Sequence, residues 1–581
     1  MTQLARAGVS LDDIGQNLSY IRALVPDNRV EAAIKIIDSS KVCAQIAVWR
    51  AEDRERKGKA AGGRPASLDD RVALVLLMLL ALENSPLLVT RVAEIMANRL
   101  SERARAMLGI DLTGPKGDDW YDRIWRSIHS LLDVLDPFPG PRNRLLDKGE
   151  WAGIVAARDQ DDSKRKQERL DWVTNQLLEA SLGMIPRELR RKWKGNICID
   201  ATPVAAFGKR GTNSKSDFVS IEPDAGWYVR EGDHRYSGDD SGKKSGKGKY
   251  MWGWDATLAV MTTNDPMAAD EFPFLVAAIG FGKPGYDVSE HGIKAFASII
   301  ERGYPAGYAV ADRAYFPNSK PESLQLPLRS LGYGTVFDYR NDQLGVTESY
   351  AGAIQVEGAW YCPAMPQALL DATVDFRVKK SIDEATWKQR IGQRRSYLLR
   401  PKESPDTDGH VPMRCPASGP SATVVCPLKN STGDSSGRTR IPVKPSHLDR
   451  ICKNRSSVSF PPSAGAKYAQ DFHYGSAEWQ AMYSTARNTI EGFNGYVKDS
   501  NYEALDQPGR RRIRGYTAQY LLTTVLVVSA NIRKIRTFLA NAGSENEAGQ
   551  LKRKRQPRRR DRLANYKPAS VSASSGDPPT G

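Results

Sequence analysis

Two short apolar runs, each reaching an aspartate, decide how this chain folds: ICIDAT at 197–202 and YAVADRAY at 308–315. Apolar runs of this length are typical of strands that are buried on both faces, as in sheets covered by helices. We therefore predict that Asp200 and Asp312 each stand at the end of a buried strand. An aspartate is also common where a strand meets a turn, because its side chain bonds nearby backbone N–H groups, and that role stays open for both.

The residues around these runs extend the pattern into an alternating set of strands and helices. The order is three strands, a helix, a strand, a helix and a strand, which predicts a mixed α/β fold. A segment at 208–249, rich in Gly, Ser, Lys and Asp, separates the first two strands. The predicted strands are 197–199, 252–262, 272–281, 308–311 and 335–338, and the predicted helices are 288–302 and 319–331.

A third acid lies in ARNTIEGFNGYVKD at 486–499, which predicts a helix. Polar residues at spacings i, i+4, i+7 and i+11 fall on one stripe of such a helix. An apolar stripe runs beside it, so the polar stripe borders the core, where a carboxylate can meet the two strand-end acids. The alternative is an ordinary amphipathic helix with an Arg–Glu pair worth about 0.2–0.5 kcal/mol. The polar stripe consists of Arg487, Glu491, Asn494 and Lys498.

Three such carboxylates predict a metal site. Close carboxylates repel one another unless a cation lies between them, and hard oxygen ligands favour Mg²⁺, with Mn²⁺ as a substitute. Two ions about 3.5–4 Å apart activate the attacking oxygen and stabilise the leaving oxygen in a displacement at phosphorus. We therefore predict that Asp200, Asp312 and Glu491 bind two Mg²⁺ ions at a phosphodiester-cleaving site. Asp233 and Asp255 are alternative acids nearby.

The charge of the chain favours a nucleic acid as its partner. Its 581 residues carry a net charge of +16, and the pI is about 9.4. Basic proteins favour polyanions, of which nucleic acid is the commonest, although a basic surface can also serve solubility alone. Basic runs at 187–194, 510–514 and 552–560 are candidate phosphate contacts.

The first part of the chain, residues 1–150, predicts a helical region that could bind DNA. A hydrophilic linker is predicted at 53–65. Around it, the pattern predicts a helix at 68–82 with Ser67 as its N-cap, a second at 87–100, and a third capped by Ser101. An ordinary helical bundle would show the same signals.

The second half of the chain is interrupted by a segment of different composition. Residues 339–470 are rich in Pro, Ser and Gly, and their β-like runs at 353–361 and 394–400 predict a mostly β or irregular insertion. An apolar helix is predicted at 516–539. The end, 541–581, has few apolar residues and predicts a disordered basic tail.

The N-terminal residues and the apolar runs indicate in which compartment the protein is found. The start has no apolar signal-peptide core, and the longest apolar run, 72–82, is too short for a bilayer, which needs about 20 residues. We expect a cytoplasmic, nucleoid-associated protein with no membrane partner.

Four of its six cysteines, all in the insertion, could bind zinc, but none forms a C-x2–4-C pair, so the spacing does not favour structural zinc. They are Cys362, Cys415, Cys426 and Cys452.

Taken together, these blocks resemble bacterial insertion-sequence transposases of the DDE class. The DAT turn at Asp200 and the ADRAY turn at Asp312 look like that family's first and second acids. The helix resembles its Tyr-x2-Arg-x3-Glu-x6-Lys signature, with Arg487, Glu491 and Lys498 at the family's spacing. The tyrosine departs from the pattern, since Ser484 stands at the expected position and Tyr483 lies one residue earlier.

The resemblance implies an RNase H-like catalytic core, split into 195–338 and 471–540 by the insertion. It implies cut-and-paste transposition, in which a homodimer pairs two transposon ends of double-stranded DNA and joins them to target DNA. Asp200 would ligate both metals, and Asp312 and Glu491 would each complete one.

In the same family, basic and aromatic side chains contact DNA around the acids. The resemblance implies that Arg487, Asn494 and Lys498 contact DNA near the cleaved bond. Trp360, in the insertion, would stack on a displaced base, which is worth about 1–3 kcal/mol, although packing in a core is the other role open to it.

Two further functions remain open at this level. One is a DNA-binding protein that descends from such an enzyme and no longer cuts. The other is an RNase H-like nuclease that acts on RNA–DNA hybrids.

Overall fold

A mixed sheet of six strands lies at the centre of the protein. Its strands are β1 (Ile197–Ala205), β2 (Gly226–Arg230), β3 (Lys249–Met261), β4 (Val276–Gly282), β5 (Tyr308–Ala311) and β6 (Gly334–Phe337). In the computed structural model their order is β2-β3-β1-β5-β6, and β4 also pairs with β3. The pairs β1–β3, β2–β3 and β3–β4 are antiparallel, whereas β1–β5 and β5–β6 are parallel.

The structure describes residues 23–58, 68–110, 119–208, 216–230, 249–313, 315–316, 318–429, 437–442, 449–454 and 456–547. Several predictions fall wholly or partly outside these ranges: the N-cap at Ser67, the alternative acid Asp233, the basic run at 552–560, the linker from residue 59 onward, and the predicted disordered tail from residue 548 onward.

The predicted strands and helices of the α/β region occur in the predicted order, but the strand β2, within the segment 208–249, was not predicted. The helix Val288–Glu301 connects β4 to β5, and the helix Gln325–Ser330 connects β5 to β6. Several boundaries were wrong: the strand predicted at 272–281 begins at Val276, and the helix predicted at 319–331 covers only Gln325–Ser330. In addition, β1 continues to Ala205, so Asp200 lies within it. The residues after Asp200 keep their pairing with β3 as far as Ala205 and Gly253, so the strand outlasts its apolar run.

The outer edge of β4 is closed by side chains from two helices. Asn531, on the helix Tyr516–Glu547, accepts from the N–H of Val276 at 3.0 Å and donates to its carbonyl at 3.0 Å. Asn175, on the helix Gln160–Leu182, does the same for Ile279, at 3.1 and 3.2 Å. Each amide side chain therefore replaces a neighbouring strand and satisfies backbone groups that are buried away from water.

Replacing Asn531 by alanine should destabilise the protein, because the N–H and carbonyl of Val276 would stay buried without partners. Each unsatisfied group costs roughly 1–3 kcal/mol, so we expect the free energy of unfolding to fall by about 2–4 kcal/mol in urea titrations. Asn501→Ala, at an exposed position of the turn that follows the helix Ala477–Val497, is the control. Equal unfolding midpoints for the two variants would contradict this role for Asn531.

Helices before the sheet share one hydrophobic core with it, since a continuous cluster of buried residues includes Val25, the sheet strands and Ile535. The most deeply buried of them is Asp70–Leu82, in which every residue from Val72 to Ala81 is buried. The helices are Asp27–Ser40, Val42–Arg56, Asp70–Leu82, Val89–Glu94, Glu102–Met107, Asp119–Asp133, Lys148–Ala156, Gln160–Leu182 and Arg187–Lys192.

Helix boundaries in this region differ in detail from the prediction. Asp69 is the N-cap of the helix predicted at 68–82, and its carboxylate accepts from the N–H of Val72 at 2.8 Å. The helix predicted at 87–100 is α-helical only over Val89–Glu94 and continues as a π-helix over Ile95–Arg99. Ser101 caps the next helix as predicted, through the N–H of Ala104 at 2.9 Å.

The insertion at 339–470 forms short strands, short helices and a second small hydrophobic core. The run at 353–361 is β as predicted. The run at 394–400 was wrong, because it holds the end of the helix Glu384–Arg394 and a 3-10 turn over Arg395–Tyr397. The strands are Val346–Tyr350, Ala353–Val356, Ala359–Tyr361, Arg400–Pro401, Val411–Arg414, Val424–Val425, Thr439–Arg440 and Val458–Phe460, and the other helices are Gln367–Leu370, Ala372–Arg377 and Arg450–Lys453.

Two longer helices follow the insertion. Ala477–Val497 carries Glu491 and begins earlier than predicted, at a cap in which Ser476 accepts from the N–H of Trp479. Tyr516–Glu547 extends beyond its predicted end at 539 and into the predicted tail. Residues up to Ile535 belong to one compact unit, and Arg536–Gly581 to a second. No helix in the described ranges is long and apolar enough to cross a membrane.

Candidate active site

Asp200 and Asp312 are neighbours across two parallel strands. The strands β1 and β5 pair in register, and their last pair is Ile199 with Ala311. Asp200 follows this pair within β1, and Asp312 follows it directly after the end of β5. Neighbouring strands lie about 4.8 Å apart, so this register supports the predicted proximity of the two acids, and the charge of Asp312 acts on Asp200.

The helix Ala477–Val497 brings Arg487, Glu491 and Asn494 to the same place. Asn494 donates its side-chain N–H to the carboxylate of Asp200 at 3.2 Å. Arg487 lies between two acids, with guanidinium nitrogens 3.8 Å from Asp200 and 3.2 Å from Glu491. The side chains of Asp200 and Arg487 are 18% and 17% exposed, but that of Glu491 is 61% exposed, so the site opens to solvent on the Glu491 side.

The acids affect one another electrostatically. Burial raises the pKa of Asp200 to about 7; Arg487 opposes the rise, and the charges of Asp312 and Glu491 add to it. Burial lowers the pKa of Arg487, but the carboxylates of Asp200 and Asp312 outweigh it and raise that pKa. The carboxylates thus favour a positive charge at this point of the structure. The guanidinium group of Arg487 interacts with more than one of them.

A third aspartate, Asp338, follows the strand next to β5. β5 and β6 pair in register, and Asp338 follows the end of β6 as Asp312 follows the end of β5. Its carboxylate accepts from Arg377 at 2.8 Å, from Arg313 at 3.0 Å and from the hydroxyl of Tyr474. Burial works to raise the pKa of Asp338, but these partners outweigh it and hold that pKa below its ordinary value. We name Asp200, Asp312 and Asp338 the acid row.

The acid row thus contains two kinds of carboxylate. Asp338 is saturated by two arginines and a tyrosine, which makes it a structural anchor. Asp200 accepts from the side chain of Asn494 at 3.2 Å and from the backbone N–H of Ala201 at 3.0 Å, and its arginine is at the longer distance of 3.8 Å. A carboxylate has about four acceptor sites, so Asp200 remains able to take another ligand. The sequence did not distinguish Asp338, because its partners come from distant segments.

Two tyrosines near the acids were not predicted as site residues. Tyr315, in the ADRAY turn, is fully buried, and its hydroxyl lies 3.4 Å from Thr257. Tyr483 stacks on Trp479 at 5.1 Å, and the charges of Asp338, Arg487 and Asp312 act on it. Tyr483 precedes Arg487 by one helical turn, so it continues the polar stripe, and this spacing was the signal that could have found it.

Ser484, at the position where the family pattern expects tyrosine, turns its hydroxyl to its own helix. The hydroxyl donates to the carbonyl of Gln480 at 2.6 Å. On this helix, the aromatic ring near the acids is therefore that of Tyr483.

Three other predicted residues, Lys498, Asp255 and Trp360, lie elsewhere in the structure. Lys498 follows the helix end at Val497, and its charge acts on Asp255. Asp255, on β3, accepts from the N–H of Gly285; burial raises its pKa to about 6. Trp360 is half-buried in the insertion core and meets Phe460 edge-on at 5.0 Å, which is the packing role; its contact with DNA stays a prediction.

The basic run at 510–514 serves the fold in part. Arg511 is fully buried and donates to the carbonyl of Leu505 at 2.8 Å, and Arg514 donates to the carbonyl of Arg142 at 2.8 Å. Arg512 lies over the ring of Phe207 at 4.8 Å. At least Arg511 is therefore excluded as a phosphate contact, because a phosphate cannot reach it.

No three His, Cys, Asp or Glu side chains in the described ranges are already gathered into a group that could hold a metal ion. Compared with protein-family models, with curated proteins and with solved structures, the chain gives no match. A functional assignment therefore depends on the residues and geometry of the site itself.

The raised pKa of Asp200 predicts how stability depends on pH. Between its ordinary value of 3.8 and about 7, the folded protein keeps a proton that the unfolded chain has lost, so this group's contribution to stability falls as pH rises through that window. Asp200→Asn removes the effect. Without divalent ions we expect the variant to gain roughly 1–4 kcal/mol over the native protein at pH 8 and much less at pH 4.

Thermal and urea unfolding from pH 4 to 8, in EDTA, would measure this difference. Other buried acids with raised pKa values, such as Asp171 and Glu222, are common to both proteins and cancel. A constant difference in stability across the pH range would show that Asp200 titrates normally.

Proposed function

We propose that this protein is a DNA transposase of the DDE class, which cuts DNA at transposon ends and transfers the freed strand to target DNA. The observation that carries the proposal is the register of the parallel strands β1 and β5, which brings Asp200 and Asp312 to neighbouring positions, with Arg487 between Asp200 and Glu491. Carboxylates in this arrangement, in a basic chain, suit phosphodiester chemistry on a polyanion.

The sheet supports an RNase H-like core. Three antiparallel strands, β1, β3 and β4, are followed by two parallel strands, β5 and β6, with a helix in each connection. The first acid lies on the central strand β1, the second follows β5, and the third lies on the helix after the insertion. This is the arrangement that the family resemblance implies.

The donor set fits divalent metal ions. Asp200, Asp312 and Glu491 offer hard oxygen ligands, and the guanidinium of Arg487 already occupies a position between two of them as a cation would. Two Mg²⁺ ions held there would activate the attacking oxygen and stabilise the leaving oxygen. Mn²⁺ would substitute.

The chain's own residues orient the DNA in this proposal. Asn494 holds the carboxylate of Asp200 in place through its 3.2 Å hydrogen bond. Arg487 lies between Asp200 and Glu491, and its positive charge would attract a phosphate of the bound DNA to the acids. Lys498, and Trp360 in the insertion, would contact DNA further from the acids. Because both transposon ends must be joined, the active species would be a homodimer on paired ends, associated with the nucleoid.

The proposal predicts that three conservative substitutions abolish cutting. Asp200→Asn, Asp312→Asn and Glu491→Gln remove ligand charge but keep side-chain shape, so each should reduce cleavage of end-bearing DNA in Mg²⁺ by at least about 10²–10³-fold, while binding in EDTA stays nearly unchanged. Glu478→Gln, at an exposed position of the same helix, is the matched control and should cut normally.

The same assay separates the alternatives. Specific DNA binding with no cutting by the native chain under any divalent ion would indicate a non-catalytic descendant. Cutting confined to RNA–DNA hybrids would indicate a nuclease. Normal cutting by any of the three variants would remove that residue from the site.

Ion binding can be measured without activity. Because Asp200 must lose its proton to bind a cation, Mg²⁺ should raise the melting temperature of the native protein more at pH 8 than at pH 6. Asp200→Asn should lose most of this Mg²⁺-dependent rise, and Glu478→Gln should keep it. Equal rises in all three proteins would mean that Mg²⁺ binds elsewhere.

A further inference from the structure

Four cysteines far apart in the insertion line one cavity. Cys362, Cys415, Cys426 and Cys452 surround a space of about 20 Å³, and all four are buried free thiols. That volume holds about one water-sized sphere. The spacing of these cysteines in the sequence did not favour a shared site, but the fold brings them to one.

Three of the four cysteines begin the same type of reverse turn. In each, a proline follows the cysteine, and the carbonyl of the cysteine accepts from the N–H three residues later at 3.0 Å. Proline presets the backbone for the second position of such a turn. The turns begin at Cys362, Cys415 and Cys426 and close at Met365, Ser418 and Lys429.

Burial raises the pKa of the thiols of Cys362 and Cys415, and a backbone N–H group of the same turn opposes the rise at each. These N–H groups belong to Ala364 and Ala417. Such groups favour the negatively charged form of a thiol, which is the form that binds a metal ion.

A positive charge stands beside the cavity. Lys429 also lines it, and its ammonium group donates to the carbonyls of Ile451 at 3.3 Å and of Asn454. These carbonyls flank Cys452, so the lysine is held next to the fourth sulfur. Four thiolates around a divalent ion carry a net charge of −2, and a fixed ammonium group offsets half of it.

We propose that Cys362, Cys415, Cys426 and Cys452 bind one structural Zn²⁺ ion that holds the insertion together. Thiolate sulfur selects zinc over hard cations, and four such ligands suit its tetrahedral preference. The described residues show no finished metal-binding group, so binding would draw the sulfurs inward to about 2.3 Å from the ion. The cavity is too small for an iron–sulfur cluster. Zinc would also supply stability that strands as short as Val424–Val425 and Thr439–Arg440 cannot.

Elemental analysis of the untagged full-length chain, purified without chelators, tests the proposal. We expect about one zinc per chain and no stoichiometric iron, with zinc released by a mercurial that titrates thiols. Cys362→Ser and Cys415→Ser should each lower zinc content at least about tenfold, because losing one ligand opens the site. Cys43→Ser, outside the cluster, should leave it unchanged.

Cobalt substitution keeps the test decisive if a variant fails to fold. The native chain loaded with Co²⁺ should show the intense visible bands of tetrahedral thiolate coordination, and Zn²⁺ should displace them. Three results would overturn the proposal: zinc-free folded protein with four reduced thiols, a disulfide among these cysteines, or bound zinc that survives both serine substitutions. The readout does not involve DNA cleavage, so it is independent of the proposed transposase activity.

Discussion

The parallel pairing of β1, β5 and β6 places three carboxyl groups in a row. The other residues of the site compensate for the repulsion between these groups. Adjacent residues on paired strands are only about 4.8 Å apart, so Asp200, Asp312 and Asp338 would repel one another if each were ionised and alone. The protein resolves the repulsion unevenly. Asp338 receives two arginines and a tyrosine, whereas Asp200 keeps a raised pKa of about 7. The uneven distribution leaves the end of the row near β1 available for chemistry.

The helix Ala477–Val497 also compensates for the negative charge of the acid row. Its apolar side chains, Ile490, Phe493 and Val497, are buried, which fixes the rotation of the helix against the sheet. That rotation sets Arg487 and Asn494 over Asp200 and leaves Glu491 exposed at the rim. The helix therefore contributes both the charge that compensates the row and the acid that completes it.

Local signals in the sequence predicted the order of the α/β region and the stripe around Glu491, because buried strands and amphipathic helices repeat with their own periods. They failed where distant segments decide. Arg377, in the insertion, neutralises Asp338. The pairing of β1 with β3 carries Asp200 into a longer strand. Likewise Cys362 and Cys452 line one cavity although they are 90 positions apart in the sequence, and the spacing rules for metal-binding cysteines apply only to short separations.

The insertion can interrupt the core without disturbing it because its exit is bonded to the strand before its entrance. The N–H of Thr335, on β6, donates to the carboxylate of Asp471 at 2.7 Å, and its carbonyl accepts from the N–H of Asp471 at 3.1 Å. Phe337 donates to the side chain of Gln470, which also accepts from Trp479 at the start of the Glu491 helix. The returning chain thus closes the edge of β6, as Asn175 and Asn531 close that of β4. The same bonds position the helix that carries Glu491. The distance between Glu491 and the acid row is therefore set at the edge of the sheet and does not depend on the length of the insertion.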